Sequence, residues 1–121
     1  MLIDLRSAPK HETPNAVMRT LAAPSLGSTE LAVWHVSMEA GQEGPEHKVD
    51  REQIWVVLDG HLDVEVAGES TCLKQGAALR IPPEVLRQVC ARSRTHALVA
   101  SAAGSFATPI GGDERLLPWA N

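Results

Sequence analysis

The chain has 121 residues, a length that suits one domain and is too short for two hydrophobic cores. Its residues are 44% hydrophobic and 21% charged, and the net charge of −4 with scattered basic residues excludes a surface built for nucleic acid. No apolar run approaches the ~20 residues of a membrane-spanning helix, and the segment MLIDLRSAPKHETP lacks the apolar centre of a secretory signal, so we expect a cytoplasmic protein without a membrane partner.

Short apolar segments separated by turn residues predict about eight β-strands. The predicted strands cover residues 17–22, 30–38, 53–58, 61–67, 69–74, 78–81, 87–91 and 96–102. The segment HETPN before the first of them is expected to form an extended arm. Pro82 and Pro83 interrupt the one region that could pass for a helix. The pattern is typical of an all-β sandwich or barrel.

Alternating polarity separates the two faces of one predicted strand. In HLDVEVAGE, the residues Leu62, Val64 and Val66 share one face, while Asp63 and Glu65 occupy the other, as in a half-buried strand. The preceding segment IWVVL is apolar on both faces and therefore needs a cover on each side. We expect one face to line a barrel interior and the other to contact the N-terminal arm or a second subunit.

Three further segments carry structural expectations. The tail GGDERLLPWAN places Leu116, Leu117 and Trp119 after two glycines, which predicts packing on the barrel or on a partner subunit. Cys72 and Cys90 cannot build a disulfide framework or a CxxC pair, so we expect both to be buried as small hydrophobic residues. The basic cluster RQVCARSR is expected to hold solvated charges at a strand end.

Residues 41–60 contain a regular series of glycines around one histidine. Gly41 is followed by five residues and His47, and Gly60 follows Gln53 after six more. This spacing resembles the first motif of the cupin family of small β-barrels, in which a glycine, five residues, His-x-His, three or four residues, a glutamate and six residues precede a glycine. In that comparison Val49 stands in the slot of the second histidine and Gln53 in the slot of the glutamate.

Residues 76–91 resemble the second cupin motif in the same incomplete way. Gly76 is followed by five residues and Pro82, as in the motif. Glu84 stands where the family has a glycine, Arg87 where it has a histidine, and Ala91 where it has an asparagine. The positions that shape the backbone therefore match in both motifs, whereas the ligand positions mostly do not.

The resemblance implies an all-β, cupin-type double-stranded β-helix, or jelly roll, with an extended N-terminal arm and a short C-terminal tail. It implies one domain over residues 1–121, with the core barrel at about 16–108. Cupins are often dimers, so it also implies a homodimer. The family includes isomerases, dioxygenases, decarboxylases and storage proteins, and the fold alone therefore does not select a reaction.

A cupin metal ion is held by three histidines and a glutamate, and this chain offers a different set in those slots. Val49 has no lone pair, and the permanent positive charge of Arg87 would repel a cation. We therefore expect no metal cofactor. A divalent metal in a rebuilt site would use His47 and Gln53, together with His35 or His96.

The same slots predict a pocket for an organic ligand. If Gln53 faces inward as the resemblance implies, strand alternation places Trp55 and Val57 on the same inner face. Val89 follows Arg87 inward by the same reasoning, and we include His35 and Val49 among the ligand-contacting residues. Such a pocket suits a small molecule with a carbonyl or carboxylate group, with Arg87 gripping the acidic group and Trp55 stacking on a ring.

Two of these residues can carry acid/base chemistry. His47 would be the general acid or base, and Arg87 would stabilise negative charge that develops on an oxygen. Isomerisation, cyclisation or dehydration of a carbonyl compound fits this pair, which makes an isomerase, cyclase or lyase the hypothesis for an enzyme.

Other interpretations stay open at this point. The chain can be a metal-dependent cupin oxygenase or isomerase with a rebuilt site, or a non-catalytic ligand-binding or dimerisation module. Single residues also have structural interpretations, in which Gln53 and Trp55 fill the core. His47 would then bond to Glu43 or Glu46, and Arg87 would pair with a carboxylate at one of the positions Glu46, Glu52 and Glu84.

Overall fold

Twelve β-strands form two six-stranded sheets in the computed structural model, which describes all residues from Met1 to Asn121. The first sheet contains, in spatial order, β1 (Lys10–Glu12), β2 (Val17–Ala22), β3 (Leu31–Met38), β10 (Thr95–Ala102), β5 (Gln53–Asp59) and β8 (Ala78–Ile81). The second contains β12 (Arg115–Leu116), β11 (Phe106–Pro109), β4 (His47–Val49), β9 (Arg87–Ala91), β6 (His61–Val66) and β7 (Glu69–Lys74). Short 3-10 helices cover Leu5–Ser7, Pro24–Leu26 and Pro118–Ala120.

The order of the strands is that of a jelly roll. The chain alternates between the sheets from β3 to β6, turns back through the β6–β7 hairpin, and returns along β8, β9 and β10. The returning strands pair antiparallel with the outgoing ones, so the central layers read β3-β10-β5-β8 and β4-β9-β6-β7. The predicted all-β jelly-roll class is therefore confirmed. No helix is long and apolar enough to span a membrane.

The inner faces of the two sheets form one apolar core. In β6, Leu62 and Val64 are buried while Glu65 is exposed, which confirms the alternation read from the sequence. Trp34 of β3 is only 2% exposed and is the largest buried side chain of the core. Because aromatic residues are scarce, aliphatic side chains supply most of the remaining core.

Four strands, β1, β4, β11 and β12, were not predicted from the sequence. Each has only two to four residues, which is too short to display an alternating pattern. Their positions follow from pairing instead, as in the register of Ala107 with Val49 and of Pro109 with His47 between β11 and β4. The sheets consequently extend from Lys10 to Leu116, beyond the expected core of residues 16–108.

The outer face of β5 is less covered than its sequence suggested. Val57 is fully buried on the inner face, but Ile54 and Val56 on the other face are half-buried and Leu58 is 43% exposed. No element of this chain forms the second layer expected there, because the N-terminal arm pairs with β2 at the far edge of the sheet. The predicted homodimer stays a prediction.

The C-terminal tail packs on the barrel of the same chain. This was one of the two predicted arrangements, the other being packing on a partner subunit. Leu117 and Ala120 are buried in the core. The Thr20 hydroxyl donates to the carbonyl of Trp119 at 2.9 Å, and the side-chain amide of Asn121 donates to the carbonyl of Ser105 at 3.0 Å. The tail is therefore part of the folded unit.

The expectations for the cysteines and for the basic cluster need correction. Cys72 is exposed and Cys90 is half-buried, because both occupy outward-facing positions of strands β7 and β9. Arg92 and Arg94 are exposed at the end of β9, as expected. Arg87 of the same cluster is only 1% exposed and therefore not solvated, because its position in β9 points inward, the direction that its cupin slot implies.

Candidate functional site

A cavity of about 340 Å³ lies between the sheets, which is within the range of small-molecule sites. We call it the barrel cavity. Its apolar walls include Met18, Trp34, Val36, Trp55, Val89, Leu117 and Trp119. Its polar lining residues include Thr13, Asn15, His47, Gln53 and Arg115. Residues of the N-terminal arm and of the C-terminal tail therefore complete the cavity wall, to which strands β3, β5 and β9 also contribute.

His47 presents one unprotonated nitrogen to this site. Its Nδ1 lies 2.8 Å from the carbonyl oxygen of Pro45, which can only accept, so Nδ1 carries the proton. Nε2 makes no hydrogen bond within the protein, and the residue lines the barrel cavity. The neutral ring therefore offers Nε2 as a proton acceptor. The alternative partners Glu43 and Glu46 are not used.

Gln53 has its amide orientation set by two donors. Its Oε1 accepts from Nη1 of Arg87 at 3.2 Å and from Nε1 of Trp55 at 3.2 Å. Because both neighbours can only donate, the oxygen must face them and the amide nitrogen must face away. That nitrogen makes no hydrogen bond within the protein, and Gln53 lines the cavity. Gln53 therefore offers N–H donors to a ligand.

Arg87 lies behind Gln53 and does not line the cavity. Besides its bond to Gln53, its Nη2 donates to the carbonyls of Pro82 at 2.9 Å and Val85 at 3.2 Å, and its Nε donates to Val85 at 3.3 Å. Burial lowers the pKa of Arg87 to about 10, and the charge of Glu84 opposes that shift. The guanidinium is thus charged at neutral pH but occupied by backbone oxygens, and it has no carboxylate partner within salt-bridge distance.

The pKa of His47 is lowered from its usual value, chiefly because burial penalises the charged ring. The bond to the Pro45 carbonyl opposes this shift, while the positive charge of Arg87 adds to it. Arg87 is the Cα partner of His47 across β4 and β9, which explains the proximity of the two charges. His47 is therefore neutral at pH 7.

His35 lies outside the barrel cavity, which corrects its expected role as a ligand contact. Strand alternation turns Trp34 and Val36 of β3 inward and His35 outward, where it contacts the ring of His96 with centroids 5.3 Å apart. Burial, His96 and Arg19 lower the pKa of His35, in that order. Neither His35 nor His96 can therefore join His47 in a rebuilt metal site.

Buried His35 and half-buried His47, both with lowered pKa values, predict a specific pH dependence of stability. Above the unfolded-state pKa of about 6.5, His35 and His47 are neutral in both the folded and the unfolded chain, so they add no pH dependence to the free energy of unfolding. Below that pH the unfolded chain binds protons that the folded chain does not. The free energy of unfolding should therefore fall as pH decreases below about 6.5. Urea unfolding at several pH values should show a flatter profile for His35→Gln/His47→Gln. An unchanged slope in the double variant would contradict this assignment.

The remaining predicted contacts divide into two groups. Trp55 and Val89 line the barrel cavity beside His47 and Gln53. Val49 and Val57 are 1% and 0% exposed and belong to the packed core, so they support the wall without lining it.

Several residues that line the cavity were not predicted from the sequence, namely Thr13, Asn15, Trp34, Arg115 and Trp119. Arg115 is the one cationic side chain on the cavity wall, and it makes no ion pair within 4.0 Å. The apolar tail was a usable signal for Trp119, because its packing on the barrel was expected. Nothing in the local pattern identified Arg115, which lies in a two-residue strand.

Comparison with known proteins assigns the fold to a family. A family model described as "Cupin domain" matches residues 34–101, more than half of the chain. The chain belongs to the cupin family. No curated protein matches it significantly. The resemblance drawn from the two sequence motifs is thereby confirmed.

Solved cupin structures support the same fold. An RmlC-like cupin from Shewanella frigidimarina superposes with a TM-score of 0.74 at 18% identity, covering 84% of this chain and 88% of that one. Salicylate 1,2-dioxygenase from Pseudaminobacter salicylatoxidans superposes with a TM-score of 0.75 at 19% identity, covering 87% of this chain but 33% of that one. This cupin therefore spans about a third of the dioxygenase chain, and identities this low show the fold alone.

The usual cupin metal does not fit the residues in its slots. The side chains that replace its ligands are the inward-facing Val49, the amide of Gln53 with its oxygen already bonded twice, and the cation Arg87. Only His47 retains a donor atom for a metal there. Four such groups cannot hold a divalent ion in that place, since one repels it and one has no lone pair.

Glu84 departs from the cupin glycine at a strained position. Its φ of +63° lies in the left-handed region, which costs a residue with a side chain about 1 kcal/mol. Glu84→Gly should therefore be more stable than Glu84→Ala by about 1 kcal/mol in urea unfolding. Both variants remove the carboxylate near Arg87, so their difference isolates the backbone. Equal free energies of unfolding for the two variants would show that the turn at residue 84 changes conformation and releases the strain.

Proposed function

We propose that this cupin binds a small organic ligand with a carbonyl or carboxylate group in the barrel cavity and catalyses a proton transfer on it, as an isomerase, cyclase or lyase does. One observation carries the proposal: an unprotonated imidazole nitrogen at His47 and unused amide donors at Gln53 line the same apolar cavity. A proton acceptor and a donor to oxygen are the two groups that enolisation of a carbonyl compound needs.

Gln53 would bind the carbonyl oxygen. Its free N–H groups are donors to such an oxygen, and the positive charge of Arg87 on Oε1 polarises the amide so that those donors strengthen. Trp55 also donates to Oε1 and thus helps to hold the amide in place. Arg87 would therefore act on the ligand only through Gln53. The sequence had predicted a direct contact between Arg87 and the ligand instead.

His47 would move the proton. Its Nε2 accepts a proton from the carbon beside the carbonyl group, and the electron pair of the broken C–H bond passes to the carbonyl oxygen as an enolate. The N–H groups of Gln53 stabilise that oxygen. In a β,γ-unsaturated ketone the imidazolium then gives the proton to the γ-carbon as the C=O bond reforms and the C=C bond shifts, which completes an isomerisation. In a β-hydroxy ketone it gives the proton to the departing hydroxyl group as the C=O bond reforms and a C=C bond is made, which completes a dehydration.

A carboxylate on the ligand has its own partner at the cavity wall. Arg115 is exposed, lines the cavity and has no ion pair, so its guanidinium is free to bind an anionic group in bidentate fashion. The apolar walls supplied by Trp34, Trp55 and Trp119 suit the hydrocarbon or ring portion of such a ligand. The supported ligand class is therefore a small keto acid or a related carbonyl compound.

Matched pairs of ketones and their methylene analogues test the binding step. In thermal-shift measurements, each ketone should raise the Tm of the protein more than its methylene analogue, because only the ketone has an oxygen that accepts from the donors of Gln53. Gln53→Leu should abolish that preference, whereas Gln75→Leu, at an exposed turn position, should retain it. A preference that survives Gln53→Leu, or a set of ketones without any effect on Tm, would contradict the proposed site.

A second experiment, on a ligand found by thermal shift, distinguishes an enzyme from a binding protein. A ligand identified by thermal shift is incubated in D₂O, and exchange of the protons beside its carbonyl group is followed by NMR. Exchange faster than in buffer supports catalysis by His47. Binding without exchange would instead assign a non-catalytic ligand-binding role to the cavity.

A further inference from the structure

A second cluster of reactive side chains lies on the outer face of the second sheet. His61 and Asp63 are two residues apart on β6 and therefore share a face, and Cys72 on β7 is the Cα partner of Asp63. One ligand atom of each side chain lies within 4.8 Å of the other two. The intervening Leu62 and the following Val64 point into the core, so the cluster faces away from the barrel cavity.

One ring nitrogen of His61 is shared between the two other side chains of this cluster. Nε2 of His61 lies 3.2 Å from Oδ1 of Asp63 and 2.9 Å from Sγ of Cys72. A ring nitrogen carries either one proton or one lone pair, so it cannot form a well-directed hydrogen bond with both neighbours at once. A cation placed among the three atoms would interact favourably with all of them.

We propose that His61, Asp63 and Cys72 bind a zinc-class divalent ion, with water as the fourth ligand. Thiolate, imidazole and carboxylate together select zinc over magnesium or calcium, which prefer oxygen ligands. Zinc bonds of about 2.0–2.3 Å in a tetrahedron separate ligand atoms by about 3.5 Å. The observed separations of 2.9 and 3.2 Å from the His61 nitrogen, with all three ligand atoms within 4.8 Å of one another, are of the size that such an ion needs.

The backbone around His61 is held rigidly before any ion binds. Its N–H donates to the Thr95 hydroxyl at 3.0 Å, and its carbonyl accepts from the N–H of Arg92 at 2.9 Å. The preceding Gly60 has a φ of +101°, and a side chain there would collide with the carbonyl of Arg94. The histidine is therefore fixed at the start of β6, which lowers the conformational cost of coordination.

Asp63 is also prepared as a ligand. Arg92 donates from Nε to Oδ2, which leaves Oδ1 directed toward His61. A ligating carboxylate whose second oxygen is hydrogen-bonded is the usual arrangement in metal sites. Lys74, opposite His61, and Glu65 are the other charged groups on this face of β6 and β7.

Cobalt titration of the full chain tests the site directly. Reduced protein without an affinity tag is titrated with Co²⁺, and the near-ultraviolet band of thiolate-to-cobalt charge transfer is recorded. We expect one equivalent to bind, with the band lost when Zn²⁺ is added. Cys72→Ser should abolish the band, and His61→Gln and Asp63→Asn should each weaken Co²⁺ binding by at least about tenfold. Circular dichroism checks that each variant is folded.

Two variants serve as controls. Cys90→Ser removes the other cysteine, and His47→Gln removes the histidine of the barrel cavity, so both should keep the charge-transfer band. A wild-type protein without the band, or a band that survives Cys72→Ser, would overturn the proposal. Co²⁺ binding that shows no thiolate band and is lost in His47→Gln would place the ion in the cavity, which has no cysteine, and would overturn the proposal as well.

Discussion

Replacing His47 with glutamine is expected to slow proton exchange on a bound ketone by a factor of about 10² to 10⁴, the usual contribution of a general base. The wild-type ring keeps Nε2 unprotonated because Nδ1 donates to the Pro45 carbonyl and burial lowers the pKa. Glutamine preserves much of the volume and some hydrogen bonding but cannot accept a proton at neutral pH. NMR in D₂O measures the rate as the disappearance of the ligand's α-proton signals.

His96→Gln is the matched control for that measurement. His96 is a half-buried histidine on the outer face of β10, where it contacts His35 and does not line the cavity. Its replacement should leave the exchange rate unchanged. The wild-type rate should also fall as the pH drops through the lowered pKa of His47, since the protonated ring is no base. A His47→Gln variant with the wild-type rate would exclude this residue as the base.

Replacing Arg87 with methionine should lower the free energy of unfolding by about 3 kcal/mol or more, because buried acceptors lose their donors. Methionine fills much of the space left by the arginine stem but donates to none of its partners. The carbonyl oxygens of Pro82 and Val85 and the Oε1 of Gln53 would each lose a hydrogen bond. Urea unfolding monitored by tryptophan fluorescence gives the difference.

Arg80→Met provides the comparison for Arg87. Arg80 is an exposed arginine of β8 whose Nε pairs with Glu52 at 2.6 Å on the surface, and such pairs contribute about 0–1 kcal/mol. Its loss should therefore be nearly neutral. If Arg87→Met were as stable as the wild type, water would be able to replace the guanidinium, and Arg87 would not be needed to hold Gln53.

The fold was predictable because its two main signals are local. Glycines such as Gly41, Gly60 and Gly76 have positive φ angles at turns, so their spacing reports where strands end. Alternation along β6 then reports which face is buried. The short strands β1, β4, β11 and β12 carried neither signal, since their pairing depends on partners that are distant in sequence.

The cavity was predictable only in its central wall. Inward alternation from Gln53 correctly placed Trp55 in the lining, and the motif spacing placed His47 there. Alternation put His35 on the face opposite Trp34 and Val36, but its own face of β3 also begins with apolar residues, so the residue types did not show which face lines the cavity. Which oxygens a flexible arginine reaches is also not encoded in its strand position, so Arg87 was expected in contact with ligand.

The location of a bound carbonyl group tests the central claim most directly. A crystal structure with a ketone selected by thermal shift should show the carbonyl oxygen within about 3 Å of Nε2 of Gln53. The adjacent carbon should face Nε2 of His47. Ligand density outside the barrel cavity, or a carbonyl oxygen directed away from Gln53 with His47 out of reach of the adjacent carbon, would contradict the account.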